Sequence, residues 1–208
     1  MQILMDISSA LQRGKAKDVV ALVQQAIDEK IPAREILEQG MLHGMNIIGE
    51  KFKNNEVFVP EVLVAARAMN KGTAVLKPYL TAEGVQANGR VCIGTVKGVL
   101  HDIGKNLVKM MIEGKGITVV DLGVDVTPET FVTAAKENNA GIICCSALLT
   151  TTMPVMGEVV KAVKDAGLSA KVMVGGAPIT QEFADSIGAD AYTADAASAA
   201  MKAAELLA

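Results

Sequence analysis

From residue 90 onward the sequence repeats one pattern: a short run that is hydrophobic throughout, followed by a helical stretch. The runs are 91–96, 117–121, 141–146 and 171–174, with a weaker fifth at 189–192. The helical stretches are 103–114, 127–138, 153–166 and 180–187, and a last one from 196 to the end. A strand with one wet face alternates apolar and polar residues. A strand that is apolar at every position is covered on both faces, which is the signature of a parallel sheet between two helical layers. The pattern predicts an α/β domain over 90–208, with a doubly wound, flavodoxin-like sheet of five parallel strands. In such a sheet a ligand sits outside the carboxyl ends of the strands, where the winding reverses.

Residues 1–81 carry a different period. The stripe Val19, Leu22, Val23, Ala26, Ile27 recurs at three and four, as do Ile36, Leu37, Met41, Leu42, Met45, Ile48 and Phe52. Pro32 and Pro60 fit first turns of helices. With a short first helix at 3–12 and a last one from Pro60 to Leu80, this half reads as a four-helix bundle domain. Residues 82–89 are polar, glycine-bearing and aperiodic, and read as a linker.

Half of the residues are hydrophobic but only 3% are aromatic, with no Trp and 11 Met, so both cores must be aliphatic. A net charge of −3 argues against nucleic-acid binding. No apolar run is long enough for a membrane span, and the first residues lack a signal-peptide pattern. The three cysteines, Cys92, Cys144 and Cys145, lie in the strand-like runs. They read as reduced core residues of a cytoplasmic protein.

Three loops would follow strands one, three and four. The first holds Gly98, His101, Asp102, Ile103 and Gly104, and His101 is one of only two histidines. The second holds Ser146, Leu148, Thr150 and Thr152; the third holds Gly175 and Gly176. The other histidine, His43, lies on a bundle helix and reads as structural. Neither a G-x-G-x-x-G after the first strand nor a Walker-type loop is present. His, Cys and carboxylates are too few for a protein-only metal cage. One imidazole, a strip of hydroxyls and an open glycine pair suit a large cofactor that brings its own metal ligands.

These loops resemble the cobalamin-binding signature D-x-H-x-x-G, then S-x-L, then G-G. Between Gly104 and Ser146 lie 41 residues, and between Leu148 and Gly175 lie 26, as in that family. The first half is similar to the helical cap of methionine synthase and of corrinoid proteins in methyltransferase systems, through Phe58-Val59-Pro60-Glu61 and Ala65-Ala66-Arg67-Ala68-Met69. The resemblance implies a corrinoid cofactor, cobalamin or a relative, with His101 as the lower cobalt ligand in place of the cofactor's own dimethylbenzimidazole. It implies that the displaced base and its tail enter a slot beside the sheet. There Ser146 would bond the base, Leu148 would pack near it, and Gly175 and Gly176 would leave room for it. Thr150 would touch the corrin or tail, and Tyr192, Asp195 and Ala196 would close over the tail. Phe52, Val59 and Val62 would form an apolar lid over the upper face.

The implied function is a methyl carrier, a subunit rather than a complete enzyme. Its partners would be a donor-specific methyltransferase, an acceptor methyltransferase using tetrahydrofolate or a thiol, and a reductive activator. An adenosylcobalamin sensor and the small subunit of an adenosylcobalamin mutase are the other classes with this domain. The first usually has a cap tryptophan and a DNA-binding module, and the second usually has no cap. One residue departs from the signature. Val99 stands where the family has an aspartate, which accepts the ligand histidine's second ring proton. Thr152 matches the hydroxyl that ends that relay. The expectation is a cobalt–His101 bond that is weaker, or whose free Nδ1 faces water.

Overall fold

The computed structural model describes residues 1–84 and 88–208. The chain divides into two units, Met1–Ala87 with Gly114–Gly116, and Asn88–Glu113 with Ile117–Ala208. Residues 85–87, the middle of the sequence-derived linker, lie outside the described residues.

The helical unit begins with α1 (Gln2–Gln12) and α2 (Ala16–Asp28). A third rod follows from α3 (Ala33–Glu35), a π-helical segment (Ile36–Leu42) and α4 (His43–Lys53), and α5 (Val59–Ala82) completes the bundle. The apolar stripes fold inward. Ile7, Leu11, Val19, Val23, Ile36, Met41, Val62 and Leu76 are all fully buried. Small residues set the helix spacing. A Cβ on Gly72 of α5 would lie 2.8 Å from Met41 Cε and 2.9 Å from Val19 Cγ1, so only glycine lets these helices meet so closely. The π segment is not visible in the sequence. Met41, which lies in this segment, reaches that same junction.

The α/β unit has the predicted sheet: β1 (Arg90–Thr95), β2 (Thr118–Asp121), β3 (Ile142–Ser146), β4 (Lys171–Gly175) and β5 (Ala191–Tyr192), all parallel, in the order β2-β1-β3-β4-β5. Strand alternation divides the side chains between two layers. Cys92, Ile143, Cys145, Val172 and Val174 face α7 (Pro128–Asn138), α8 (Met153–Asp165) and α9 (Gln181–Ile187) in one core, around Phe131, Met156 and Val160. The row Ile93–Cys144–Met173–Ala191 lies in register on the opposite face, which α6 (Ile103–Glu113) and α10 (Ala196–Leu207) cover. Side-chain caps start three of these helices: Thr127 accepts from Thr130 N, Thr180 from Phe183 N and Asp195 from Ser198 N. No described helix is long and apolar enough to cross a membrane.

Candidate functional site

The order of strands reverses between β1 and β3, and the loops after these two strands carry the candidate residues. The loop after β1 is clamped by the segment after β2. Gly98, at φ +89°, donates its N–H to Asp125 Oδ1 at 2.7 Å. Thr95 Oγ1 donates to the Val99 carbonyl at 2.5 Å. The Asp125 N–H reaches both the Val99 carbonyl and Thr95 Oγ1, at 3.1 Å each. Asp125 holds a left-handed backbone, φ +55°, to do so. Val99 is 3% exposed and packs into the core with Val96, Val126 and Phe131. The backbone groups of Gly98 and Val99 are thus used internally, while His101 is exposed and its ring has no hydrogen-bond partner among the described residues.

Large aliphatic side chains are exposed on this loop and on the loop after β3. Leu100 is 71% exposed, Ile103 80%, Leu148 40% and Leu149 54%. Four large aliphatic side chains left in water on the two loops, one of which carries an unpaired imidazole, mark a surface for a ligand or partner. Asp102 does not reach back to the ring; it accepts from Asn106 Nδ2 at 2.9 Å on the first turn of α6. Asn106 in turn accepts from Lys105 Nζ at 2.7 Å, and the ammonium also bonds Asp121 Oδ1 at 2.7 Å. Lys105 is only 2% exposed, an unusual place for a lysine that this pairing explains. Burial pushes the Asp121 carboxyl up, but hydrogen bonds from Lys105, Gly123 N–H and Lys109 outweigh it and hold the pKa below its ordinary value.

The loop after β3 turns outward at Leu148 and Leu149 into a 3-10 turn, Thr150–Thr152. Thr152 Oγ1 donates to the Leu149 carbonyl at 2.8 Å, and a Cβ on Gly98 would meet Thr152 Cγ2 at 3.2 Å. The threonine therefore shows its methyl group to the histidine loop. At Gly176, φ +128°, any side chain would collide with the Ala147 carbonyl oxygen, so this glycine serves the close passage of two loops.

Below the rim a cavity of about 270 Å³ runs between the sheet and the α6–α10 layer. Of the residues singled out in the sequence, Gly104, Ser146, Gly175, Gly176, Tyr192, Asp195 and Ala196 line it. A Cβ on Gly104 would have nothing within 4 Å, and one on Gly175 only the Thr193 carbonyl at 3.8 Å. These glycines border open space that side chains would fill. Asp195 lines the cavity but spends its carboxylate on Ser198, at 2.8 Å to the N–H and 2.7 Å to Oγ. Gly98, His101, Ile103, Leu148, Thr150 and Thr152 belong to the loops above the cavity and do not line it. In the helical unit Val59 is 36% exposed and Phe52 half-buried, whereas Val62 is fully buried in the bundle core. Sequence reasoning missed Asp125, Lys105, Leu100 and Leu149. The first two act through partners 27 and 16 residues away, which no local pattern reveals.

An open slot, a free imidazole at its mouth and an apolar rim fit a large flat ligand with a tail. Among the described residues no three His, Cys, Asp or Glu side chains converge to hold a metal ion. A metal at His101 would carry its remaining ligands with it.

Family comparison agrees with this geometry. Residues 89–204 match one B12 binding domain model and residues 3–77 match a second. The chain belongs to the B12-binding domain family, and its cofactor is a corrinoid. Among relatives it is similar to dimethylamine corrinoid protein 1 of Methanosarcina acetivorans, 44% identical over 100% of this chain and 98% of the relative. It is also similar to a corrinoid protein of Desulfitobacterium hafniense, 40% identical over 94% of each. Among solved structures, the methanol:cobalamin methyltransferase complex of Methanosarcina barkeri contains a chain that matches with a TM-score of 0.88. That match has 28% identity and covers 99% of this chain and 80% of that one. A cobalamin-binding protein from Desulfitobacterium hafniense matches at 0.82, with 29% identity and 98% of each chain covered.

Proposed function

We propose that this protein is the methyl carrier of a methyltransferase system, presenting a corrinoid in turn to a donor-specific and an acceptor methyltransferase. The observation that carries the reading is the free imidazole of His101 on a clamped loop, three residues before Gly104 of an open slot, with Leu100 and Ile103 exposed on the same loop and Leu148 and Leu149 on the loop after β3. When bound, the corrinoid supplies a cobalt centre able to accept and release a methyl group. The residues of the chain hold and orient it. His101 offers one ring nitrogen from below, the aliphatic rim excludes water from that face, and Gly104 and Gly175 keep the slot open for the tail.

The names of the relatives favour a methylated amine as donor. A tetrahydrofolate- or thiol-dependent methyltransferase is the acceptor, and a reductive activator restores the cofactor. In this reading the helical unit covers the reactive face. Exposed Phe58 and Val59 at the start of α5 supply its apolar contact, and Val62 acts only by holding that helix in place.

Val99 gives the site its own character. With no carboxylate two residues before it, the ring nitrogen of His101 that faces away from the metal has only water to bond. Loss of such a partner weakens metal binding by about 10–100-fold. Electron paramagnetic resonance of the reduced, corrinoid-loaded protein with 15N-histidine tests the reading. A nitrogen coupling that vanishes in His101→Ala is expected. A wild-type spectrum with no histidine coupling would remove His101 as the ligand.

A further inference from the structure

We propose that the slot of the α/β unit favours a benzimidazole-type lower base over a purine, through the residues of its floor. This rests on the corrinoid reading above, with the tail of the cofactor in the slot. The floor is one register row of the sheet, Ile93, Cys144 and Met173, and the facing wall is Leu107 and Val108 of α6 with Ala199 of α10. None of these six side chains carries a nitrogen or oxygen atom. The backbone groups of the floor are engaged in the strand ladder, and those of the wall in helices. Of the polar side chains that line the slot, Lys105 is committed to Asp121 and Asn106 and Asp195 to Ser198, while Ser146, Tyr192 and Thr193 lie at the carboxyl ends of β3 and β5. The Ser146 hydroxyl stands at the carboxyl end of β3, two residues beyond Cys144 and on the same face of the sheet, so it borders the floor at the strand ends. Burial pushes the Cys144 thiol up to about 12, so the floor is neutral across physiological pH.

Benzimidazole and adenine are both fused bicycles of nearly equal size, so shape does not separate them. Their six-membered rings differ. In benzimidazole that ring is all carbon; in adenine it carries two acceptor nitrogens and an amino group. Set against the floor and wall, those groups lose water and gain no side-chain partner. Apolar pockets reject an added polar group only moderately, by up to about 100-fold. The expected discrimination by the slot is therefore about 10–100-fold. Cys144 and Met173 set it, since both are buried side chains that touch the cavity and could be exchanged for polar residues of similar size.

The test is a spectrophotometric titration of the full chain, freed of cofactor, with three probes: cobalamin, its adenine-tailed analogue, and cobinamide, which has no tail. The free cofactors differ in how firmly their own base holds cobalt. The deciding quantity is therefore the change in the cobalamin-to-adenine affinity ratio between wild type and variant, in which that difference cancels. Met173→Gln is expected to move the ratio about tenfold toward adenine, and Cys144→Ser severalfold in the same direction. Cys144→Ser alone decides if Met173→Gln does not fold. A ratio that neither variant moves would overturn the proposal while leaving the corrinoid reading intact. Cobinamide binding as tightly as cobalamin would show that the slot does not take the tail, and would overturn the reading and the proposal together.

Discussion

Asp125 adopts a backbone that few non-glycine residues tolerate, and its carboxylate and N–H account for two of the bonds that hold the loop after β1. A charge-assisted hydrogen bond of this kind contributes about 1.5–3 kcal/mol. Asp125→Ala is expected to leave the fold intact by circular dichroism and to weaken cobalamin binding about tenfold, because His101 loses its fixed position. Asp125→Asn keeps both the tolerance for positive φ and an acceptor oxygen, and should bind within a few-fold of wild type. At this scale the sequence was partly legible. His101, Gly104, Ser146 and Gly175 announce themselves by type and spacing. Asp125 reads as an ordinary turn residue, because what makes it matter lies on another strand's loop. Val99 was legible as a departure, but its burial in the α7–α8 core was not. An apolar side chain there takes the loop inward and leaves the ring above it without a neighbour.

Among the elements, the four hydrophobic strand runs and the capped helices of the α/β unit were nearly complete in the sequence, since each is fixed by local pattern and a local cap. The third rod of the helical unit was not. Its π segment carries Met41 to the junction with Gly72, a matter of packing between helices that periodicity does not encode. Nor does periodicity show how that rod begins. The Glu83 carboxylate, one residue past the end of α5, accepts from Ala33 N–H at 2.7 Å and Arg34 N–H at 3.1 Å. An anion at a helix N-terminus satisfies unpaired donors and opposes the helix dipole. Here it ties the two ends of the bundle's long helices to each other. Glu83→Ala should destabilise the protein by about 1 kcal/mol. Hydrogen exchange should read this as faster exchange at residues 33–36, with the amides of β1 and β3 unchanged.

On the scale of the molecule, the pairing of buried Lys105 with Asp121 makes the α/β unit sensitive to acid. The carboxyl of Asp121 titrates below its ordinary 3.8 in the folded state. Its contribution is therefore fully present above that value and is lost as the pH falls through the lower folded value. Thermal melts from pH 6 to 2.5 should show a stability advantage of wild type over Asp121→Asn that is flat above about pH 4 and shrinks below it. At neutral pH the variant should lose about 2–4 kcal/mol, since it strands a lysine that is 2% exposed. An Asp121→Asn protein that melts like wild type at pH 7 would mean that Lys105 finds other partners.

The imidazole, the exposed aliphatic side chains of the two loops and the slot all belong to the α/β unit; among the described residues, none of the helical unit lines the cavity. In the proposed carrier the tail is held by the α/β unit, and its retention does not depend on the helical unit. Reactivity and retention are thereby made separate properties. Under that proposal, exposing the cofactor to one partner after another need not loosen it.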